Sequence, residues 1–285
     1  MRIGVIGCGR MGFVQARLGR FLGDEIVLGV EISPEAATQF EEVFGCRVAS
    51  EVGAEALAGL WAGLDLVWVT VVDDRLGEVS HALKDRLCSE AVVLHTSGAV
   101  SSRVFGDLGY ACGSLHPLTA CPETTCDDAA CYAHYCGLLH TAEGDVKAVS
   151  LAEALVSRLG GHVVIMDPAQ KARYHAAAVL GSNYSLILCE VTEKLFCSCG
   201  FSEADSRGVV RRLLAGSLVA LETHSPSEAL TGGPVRRRDA GTIALHRASL
   251  AEDGDVLSLY DAFLGLAKRM VGWTDDLGIL PKGEE

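Results

Sequence analysis

A chain of 285 residues, 49% of them hydrophobic, can bury one large core or two ordinary ones without staples. Its formal net charge of −13 argues against nucleic acid, whose phosphates ask for a basic face, and no apolar run reaches the roughly 18 residues of a membrane helix. The opening MRIGVIGCGRMG lacks the pattern of a secretory signal, so the eleven cysteines are expected to be reduced thiols of a cytoplasmic protein.

Through the first half, short apolar runs alternate with helical patterns. Strands are expected over 2–7, 26–31, 46–50, 65–73, 91–97 and 111–116, with helices over 12–22, 34–44 and 74–87. Two further strands, 135–141 and 161–167, flank a helix over 145–159. Runs that are apolar on both faces belong to a parallel sheet covered by helices, so this half reads as α/β, a doubly wound Rossmann sheet.

The first strand runs directly into a G-x-G-x-x-G made by Gly7, Gly9 and Gly12, and a helix pattern follows. In that context the glycines permit a tight turn, a close approach to a pyrophosphate and close helix–strand packing. Gly7, Cys8, Gly9, Arg10, Met11 and Gly12 are therefore expected around the phosphates, at the free N–H groups of a helix N-terminus. Glu31 closes the second strand about twenty residues on, where an acid bonds the adenosine ribose hydroxyls and repels a 2′-phosphate. NAD is the expected cofactor, with NADP as the second choice. Val72 and Asp73, at the end of the fourth strand, are expected beside the nicotinamide-side ribose. Ser97 follows the fifth strand and His116 the sixth, at the strand ends that line the crevice of an open parallel sheet.

Beyond residue 167 no strand pattern remains. The stretch from Pro168 to Gly200 reads as one long helix, with further helices over 203–223, 239–251 and 256–272. The expected division is a dinucleotide-binding domain, 1–165, and an all-helical substrate and dimerisation domain, 166–285. On one helix, at about 100° per residue, Lys171, His175 and Ser182 fall within about 40° of each other. A cation, a titratable ring and a hydroxyl on one stripe suit carbonyl or imine reduction, where a group must polarise or protonate the heteroatom as hydride arrives. A solvated polar face has the same spacing.

Five motifs, GVIGCGRMG, HTSGAV (95–100), SLHPL (114–118), KARYHAAAVLGSNY (171–184) and LTGGPVRRRD (230–239), span most of the chain. Together they resemble a family of Rossmann-like NAD(P)-binding proteins with a C-terminal helical domain of unknown function, related to pyrroline-5-carboxylate reductase and the β-hydroxyacid dehydrogenases. The resemblance implies a two-domain oxidoreductase, usually dimeric, with its dinucleotide between the domains. Lys171 matches the active-site lysine of the β-hydroxyacid dehydrogenases, and His175 stands where that family has asparagine, a departure that bears on the substrate class. The SLHP stretch is similar to the HP turn of prephenate dehydrogenases, which supports a site at His116. Arg237 matches an arginine of the family pattern, whose guanidinium would clamp a substrate carboxylate, while Asn183 and Ser97 would orient substrate or carboxamide.

Cys121, Cys126, Cys131 and Cys136 recur at every fifth position. That spacing matches neither zinc nor iron–sulfur pairs, and along a helix it turns successive thiols about 140° apart. The run is expected to be a loop of reduced cysteines that binds no metal; a site using some of them with His134 is the alternative. Three functions compete. The first is an NAD(P)-dependent oxidoreductase moving hydride to or from a small carboxylated carbonyl, imine or alcohol. The second is a dinucleotide-binding sensor or scaffold without turnover, and the third a thiol- or metal-dependent redox protein. A homodimer is expected from the apolar helices of the second domain, with Leu186, Leu195, Leu213, Leu214, Leu218 and Leu221.

Overall fold

The computed structural model describes residues 1–120 and 126–273. The chain begins β1 (Arg2–Ile6), α1 (Arg10–Phe21), β2 (Glu25–Val30), α2 (Pro34–Phe44), β3 (Arg47–Ala49), β4 (Leu66–Val69), α3 (Leu76–Leu83) and β5 (Val92–His95). It continues β6 (Ala111–Pro117), α4 (Asp128–Tyr135), β7 (Leu139–Gly144), α5 (Val146–Arg158) and β8 (His162–Ile165). The strands form one sheet in the order β3-β2-β1-β4-β5-β6-β7-β8. Alternate residues of the central strands feed two cores. Leu66, Trp68 and Leu94 face Phe13, Phe40 and Val156 of α1, α2 and α5. Val67, Val69 and Val93 face Trp61, Leu76, Leu83 and Phe105 on the other side. Both faces are covered, as the uninterrupted apolar runs require.

The doubly wound reading holds for β1 to β6, which are mutually parallel. It needs one correction: β7 is antiparallel to β6, and β8 runs with β7. A strand buried on both faces has the same apolar pattern in either direction, so direction is not written in it.

The cysteine run also departs from expectation. A helix, α4, crosses it where a loop was expected. Asp127 caps the helix, accepting from the Ala130 N–H at 2.8 Å, and Cys131 and Tyr135 are buried with Val14 and Leu18 of α1. Asp128 is bridged to Arg17 at 3.0 Å and Arg20 at 2.6 Å, which ties α4 down. The Cys126 and Cys131 sulfurs are 2.7 Å apart, and Cys121 lies outside the described residues. Among the described residues, no three His, Cys, Asp or Glu side chains converge as metal ligands.

The chain divides into two compact units, Met1–Gly181 and Ser182–Glu285. The first reaches past residue 165 to include α6 (Lys171–Gly181), so the helix bearing Lys171 and His175 belongs with the sheet. The single long helix expected from Pro168 is broken. A 3-10 turn spans Pro168–Gln170, α6 ends at Gly181, and Ser182 leaves helical geometry at φ −121°, ψ −79° before α7 (Asn183–Ser198). A Gly–Ser pair is a common place for a helix to break. Among the described residues the regular elements of the second unit are all helices: α7, α8 (Glu203–Leu221), α9 (Pro226–Ala229), α10 (Gly233–Arg236), α11 (Ala240–Ser249) and α12 (Gly254–Met270). Its buried cluster holds Ile243, Leu264 and Trp273, with the Lys268 ammonium 3.9 Å from the centre of the Trp273 ring. No helix among the described residues is long and apolar enough to cross a membrane.

Candidate active site

The turn between β1 and α1 shows why its glycines are there. Gly7 has φ +90°, and a Cβ on it would lie 2.8 Å from the backbone of Thr70 and Val71. A Cβ on Gly12 would stand 2.2 Å from the Gly7 carbonyl oxygen, so α1 can approach β1 only without one. A Cβ on Gly9 would meet nothing within 4 Å. Two glycines thus serve packing, and the middle one opens onto space of the kind a pyrophosphate needs. The Thr70 hydroxyl braces the turn, donating to the Gly7 carbonyl at 2.5 Å. Gly9 caps α1 without a side-chain acceptor, leaving the free N–H groups of the first turn for an anion.

The turn borders a cleft of about 520 Å³, also lined by Glu31, Ser50, Val72 and Arg75. Glu31 Oε1 accepts from the Ser33 N–H at 2.9 Å, which holds its carboxylate at the end of β2. These residues fit an adenine dinucleotide: a bare backbone for phosphates, an acid for ribose hydroxyls and apolar walls. Cys8, in contrast, turns inward. It is fully buried, its Sγ is 3.7 Å from the Val30 carbonyl, and burial pushes its thiol far up, so only its backbone faces the turn. Met11 packs beside α4 and Arg10 is exposed. Asp73 is exposed in the turn after β4.

A second group of residues gathers where β5, β6, β7 and α6 meet. Lys171, the first residue of α6, is 2% exposed. Its Nζ donates to the Ser97 carbonyl at 2.8 Å and to the Ser114 hydroxyl, and it lies 3.3 Å from Glu143 Oε1. Three acceptors therefore face the three ammonium donors. Glu143 is equally buried and also accepts from the Ser102 N–H at 2.8 Å and hydroxyl at 2.7 Å. Burial pulls the Lys171 pKa down, opposed first by Glu143 and then by Asp73. The antiparallel register makes this network, because it sets Ser114 opposite Glu143 and His116 opposite Thr141.

Two histidines lie against Gly98, in the turn after β5. A Cβ there would meet His175 Cδ2 at 2.5 Å and His116 Nε2 at 2.9 Å, so both rings occupy the space a side chain would take. Their centroids are 6.0 Å apart, edge to face. His116 Nδ1 is 2.7 Å from the Tyr174 hydroxyl. Burial drives the His116 pKa down to about 4, helped by His175, Lys171 and His140, so the ring is neutral at neutral pH. His95, at the end of β5, is pushed down to about 3 by burial, then by Lys171 and His116. Its Nδ1 accepts from the Ser97 N–H at 3.1 Å, and its buried Nε2 has no partner among the described residues. Ser97 shapes the turn itself, its hydroxyl accepting from the N–H groups of Ala99 and Val100 at 3.2 and 2.9 Å.

The structure thus brings Lys171, His175, His116 and Ser97 together in the first unit. Ser182, Asn183 and Arg237 belong to the second unit and are exposed there; the Ser182 hydroxyl donates to Asn183 Oδ1 at 3.0 Å. Because α6 ends at Gly181, the one-helix stripe stops before Ser182. Gly98 follows the fifth strand beside Ser97, as the sequence places it, but sequence reasoning missed Thr70, Thr141, Glu143 and Tyr174. Tyr174 sits inside a quoted motif, and the other three are ordinary strand-end and strand residues that only register makes meaningful.

A family model described as a domain of unknown function (DUF2520) matches residues 138–266. No curated protein matches the chain. Among solved structures, a candidate NADP oxidoreductase of Bacteroides fragilis superposes with a TM-score of 0.76 at 19% identity, covering 94% of this chain and 98% of that one. The 1-pyrroline-5-carboxylate reductase of Streptococcus pyogenes gives 0.62 at 17%, covering 94% and 98%. Prephenate dehydrogenase of Aquifex aeolicus, solved with hydroxyphenyl propionate and NAD+, gives 0.57 at 17%, covering 95% and 97%. At such identities these chains share a fold. The match to DUF2520 over residues 138–266 lies in a chain whose first unit carries a Rossmann-like sheet, and it is in keeping with the resemblance of the sequence motifs.

Proposed function

We propose that this protein is an NAD-dependent oxidoreductase acting on a small carboxylated carbonyl, imine or alcohol. The observation that carries the reading is one compact unit holding both an open Gly9 turn at a cleft of about 520 Å³ and a pair of imidazoles packed on Gly98. When bound, the nicotinamide would give or take a hydride. His116, neutral and held by Tyr174, hydrogen-bonds the reacting heteroatom; a neutral imidazole can do this without a charge of its own. His175, half exposed, passes the proton between heteroatom and solvent. Lys171 was expected to contact substrate directly. Its donors are committed to Ser97, Ser114 and Glu143, so its part is to fix the turn under the site and supply a buried positive charge. The substrate class rests on the sequence resemblance at Lys171 and Arg237, and on the neighbours that are named as oxidoreductases.

NAD is preferred over NADP because Glu31, Glu51 and Glu78 line the cleft, with Arg75 as the cation among its lining residues. Fluorescence titration with NADH and NADPH tests this: NADH should bind more tightly, and Glu31→Ala should narrow the gap. Equal affinities in the unaltered protein would remove the Glu31 assignment. Tight dinucleotide binding with no turnover of any carboxylated carbonyl, imine or alcohol would favour a sensor.

A further inference from the structure

Tyr174 has no role assigned from the sequence motifs, yet its hydroxyl meets Nδ1 of His116. Its hydroxyl is 2.7 Å from Nδ1, the ring centroids are 5.7 Å apart and the planes meet at 88°, so the phenol holds the imidazole edge-on. On the other side of that ring, Nε2 and Cε1 lie against Gly98. The phenol is itself oriented. Thr141, opposite His116 in the β6–β7 register, hydrogen-bonds to its oxygen. Burial raises the Tyr174 pKa, and the Thr141 contact pulls the other way.

The chemistry of the two groups sets the direction of the hydrogen bond between Tyr174 and His116. A phenol is a good donor and a poor acceptor, and an imidazole nitrogen is the better base of the two. The phenolic hydrogen therefore goes to Nδ1. We infer that Tyr174 is a positioning residue that holds His116 in the tautomer with its hydrogen on Nε2, directed at the turn formed by Ser97 and Gly98. The inference deepens the function proposed above and rests on that reading for its catalytic meaning, but the tautomer exists with or without turnover. A donor on Nε2 suits an oxygen or nitrogen that carries extra electron density in the hydride-transfer transition state. His175 and Lys171 from α6, His140 from β7 and His95 from β5 are the titratable groups around it, and His175, Lys171 and His140 oppose a second proton on the ring.

The test is nitrogen-detected NMR of the full chain labelled at histidine nitrogen, comparing the unaltered protein with Tyr174→Phe. His116 is assigned by the signal missing from His116→Asn. The unaltered protein should show His116 with its hydrogen on Nε2. In Tyr174→Phe the signal should move toward a mixture of tautomers and the ring should titrate at higher pH, because a donor to Nδ1 stabilises the neutral form. A residue that merely filled space would move neither, since phenylalanine keeps the ring and the remaining histidine signals report the fold. Should Tyr174→Phe fail to fold, Thr141→Val frees the phenol oxygen to accept and should populate the Nδ1–H form in part. Once a substrate is known, Tyr174→Phe should lose about two- to tenfold in kcat, the scale of one neutral hydrogen bond, with KM little changed. An Nδ1–H tautomer in the unaltered protein, or a spectrum unmoved in both variants, overturns the inference while leaving the oxidoreductase reading intact. The expected tautomer with no turnover of any substrate overturns only the latter.

Discussion

Lys171→Met should destabilise the first unit by about 3 kcal/mol while leaving the shape of the side chain nearly unchanged. The figure comes from what remains behind. Breaking a buried ion pair by removing one partner typically costs about 3–5 kcal/mol, because the other charge stays buried and unpaired. Here the partner is Glu143, 2% exposed, and it keeps the N–H and hydroxyl of Ser102 as donors, which places the loss at the lower end. The Ser97 carbonyl and Ser114 hydroxyl lose a donor as well. Urea unfolding followed by circular dichroism reads it out: at a slope of about 2 kcal/mol/M, the midpoint should fall by about 1.5 M. Replacing both charges, as Lys171→Met with Glu143→Leu, should recover at least about 1 kcal/mol, since directly paired residues are not additive. A single-variant loss below about 1 kcal/mol, or strict additivity in the double variant, would mean the pair is solvated in solution and anchors nothing.

Gly9→Ala should fold normally and bind dinucleotide poorly, because a Cβ there meets open space that a phosphate would need; Gly12→Ala should instead lose stability by pushing α1 from the Gly7 carbonyl. Thermal melts with and without NADH separate the two, and a Gly9→Ala protein that binds NADH normally would show that the phosphates lie elsewhere. Stability should fall as pH drops from about 6.5 toward 4, because His116 and His95 have folded pKa values of about 4 and about 3. Over that window the unfolded chain binds more protons than the folded one, so acid favours unfolding. Urea midpoints at pH 7 and pH 5 check the sign, and a His95→Leu variant should show a shallower slope. The protein should be a homodimer, since Leu186, Leu213 and Leu218 of the second unit are 71%, 59% and 60% exposed. Light scattering at 30.0 kDa, the mass of one chain, would refute this.

Much of the architecture was legible because its signals are local. Gly7, Gly9 and Gly12 between a strand and a helix, and the apolar runs of β1 to β6, need no knowledge of distant residues. What escaped was set by pairing. The direction of β7 has no trace in its periodicity, yet that direction brings Thr141 to His116 and Glu143 to Ser114. Lys171 and His175 were found from helical spacing, but Lys171 was read as facing substrate because its acceptors come from three separate strand segments. The α4 helix is eight residues long and its cysteine spacing matches no helical face, so its one local signal is Asp127, a capping residue before a short helix-compatible run. The break at Gly181–Ser182 was legible in residue type and was passed over because the apolar pattern continues on both sides.

The match to DUF2520 begins at residue 138, one residue before β7, and so cuts the sheet between its sixth and seventh strands. On one side of that cut stand Ser97, Gly98, Ser114 and His116; on the other stand Thr141, Glu143, Lys171, Tyr174 and His175. The lysine network and the histidine pair are therefore each split by the start of the match, whereas the glycine turn and its cleft lie wholly before it. A recombinant fragment starting at 138 would present β7 as a bare edge and carry a buried glutamate and lysine with most of their partners removed. The segment 138–181 is not a module to be exchanged between relatives, and substitutions in it should be tolerated or rejected according to which β5 and β6 accompany it.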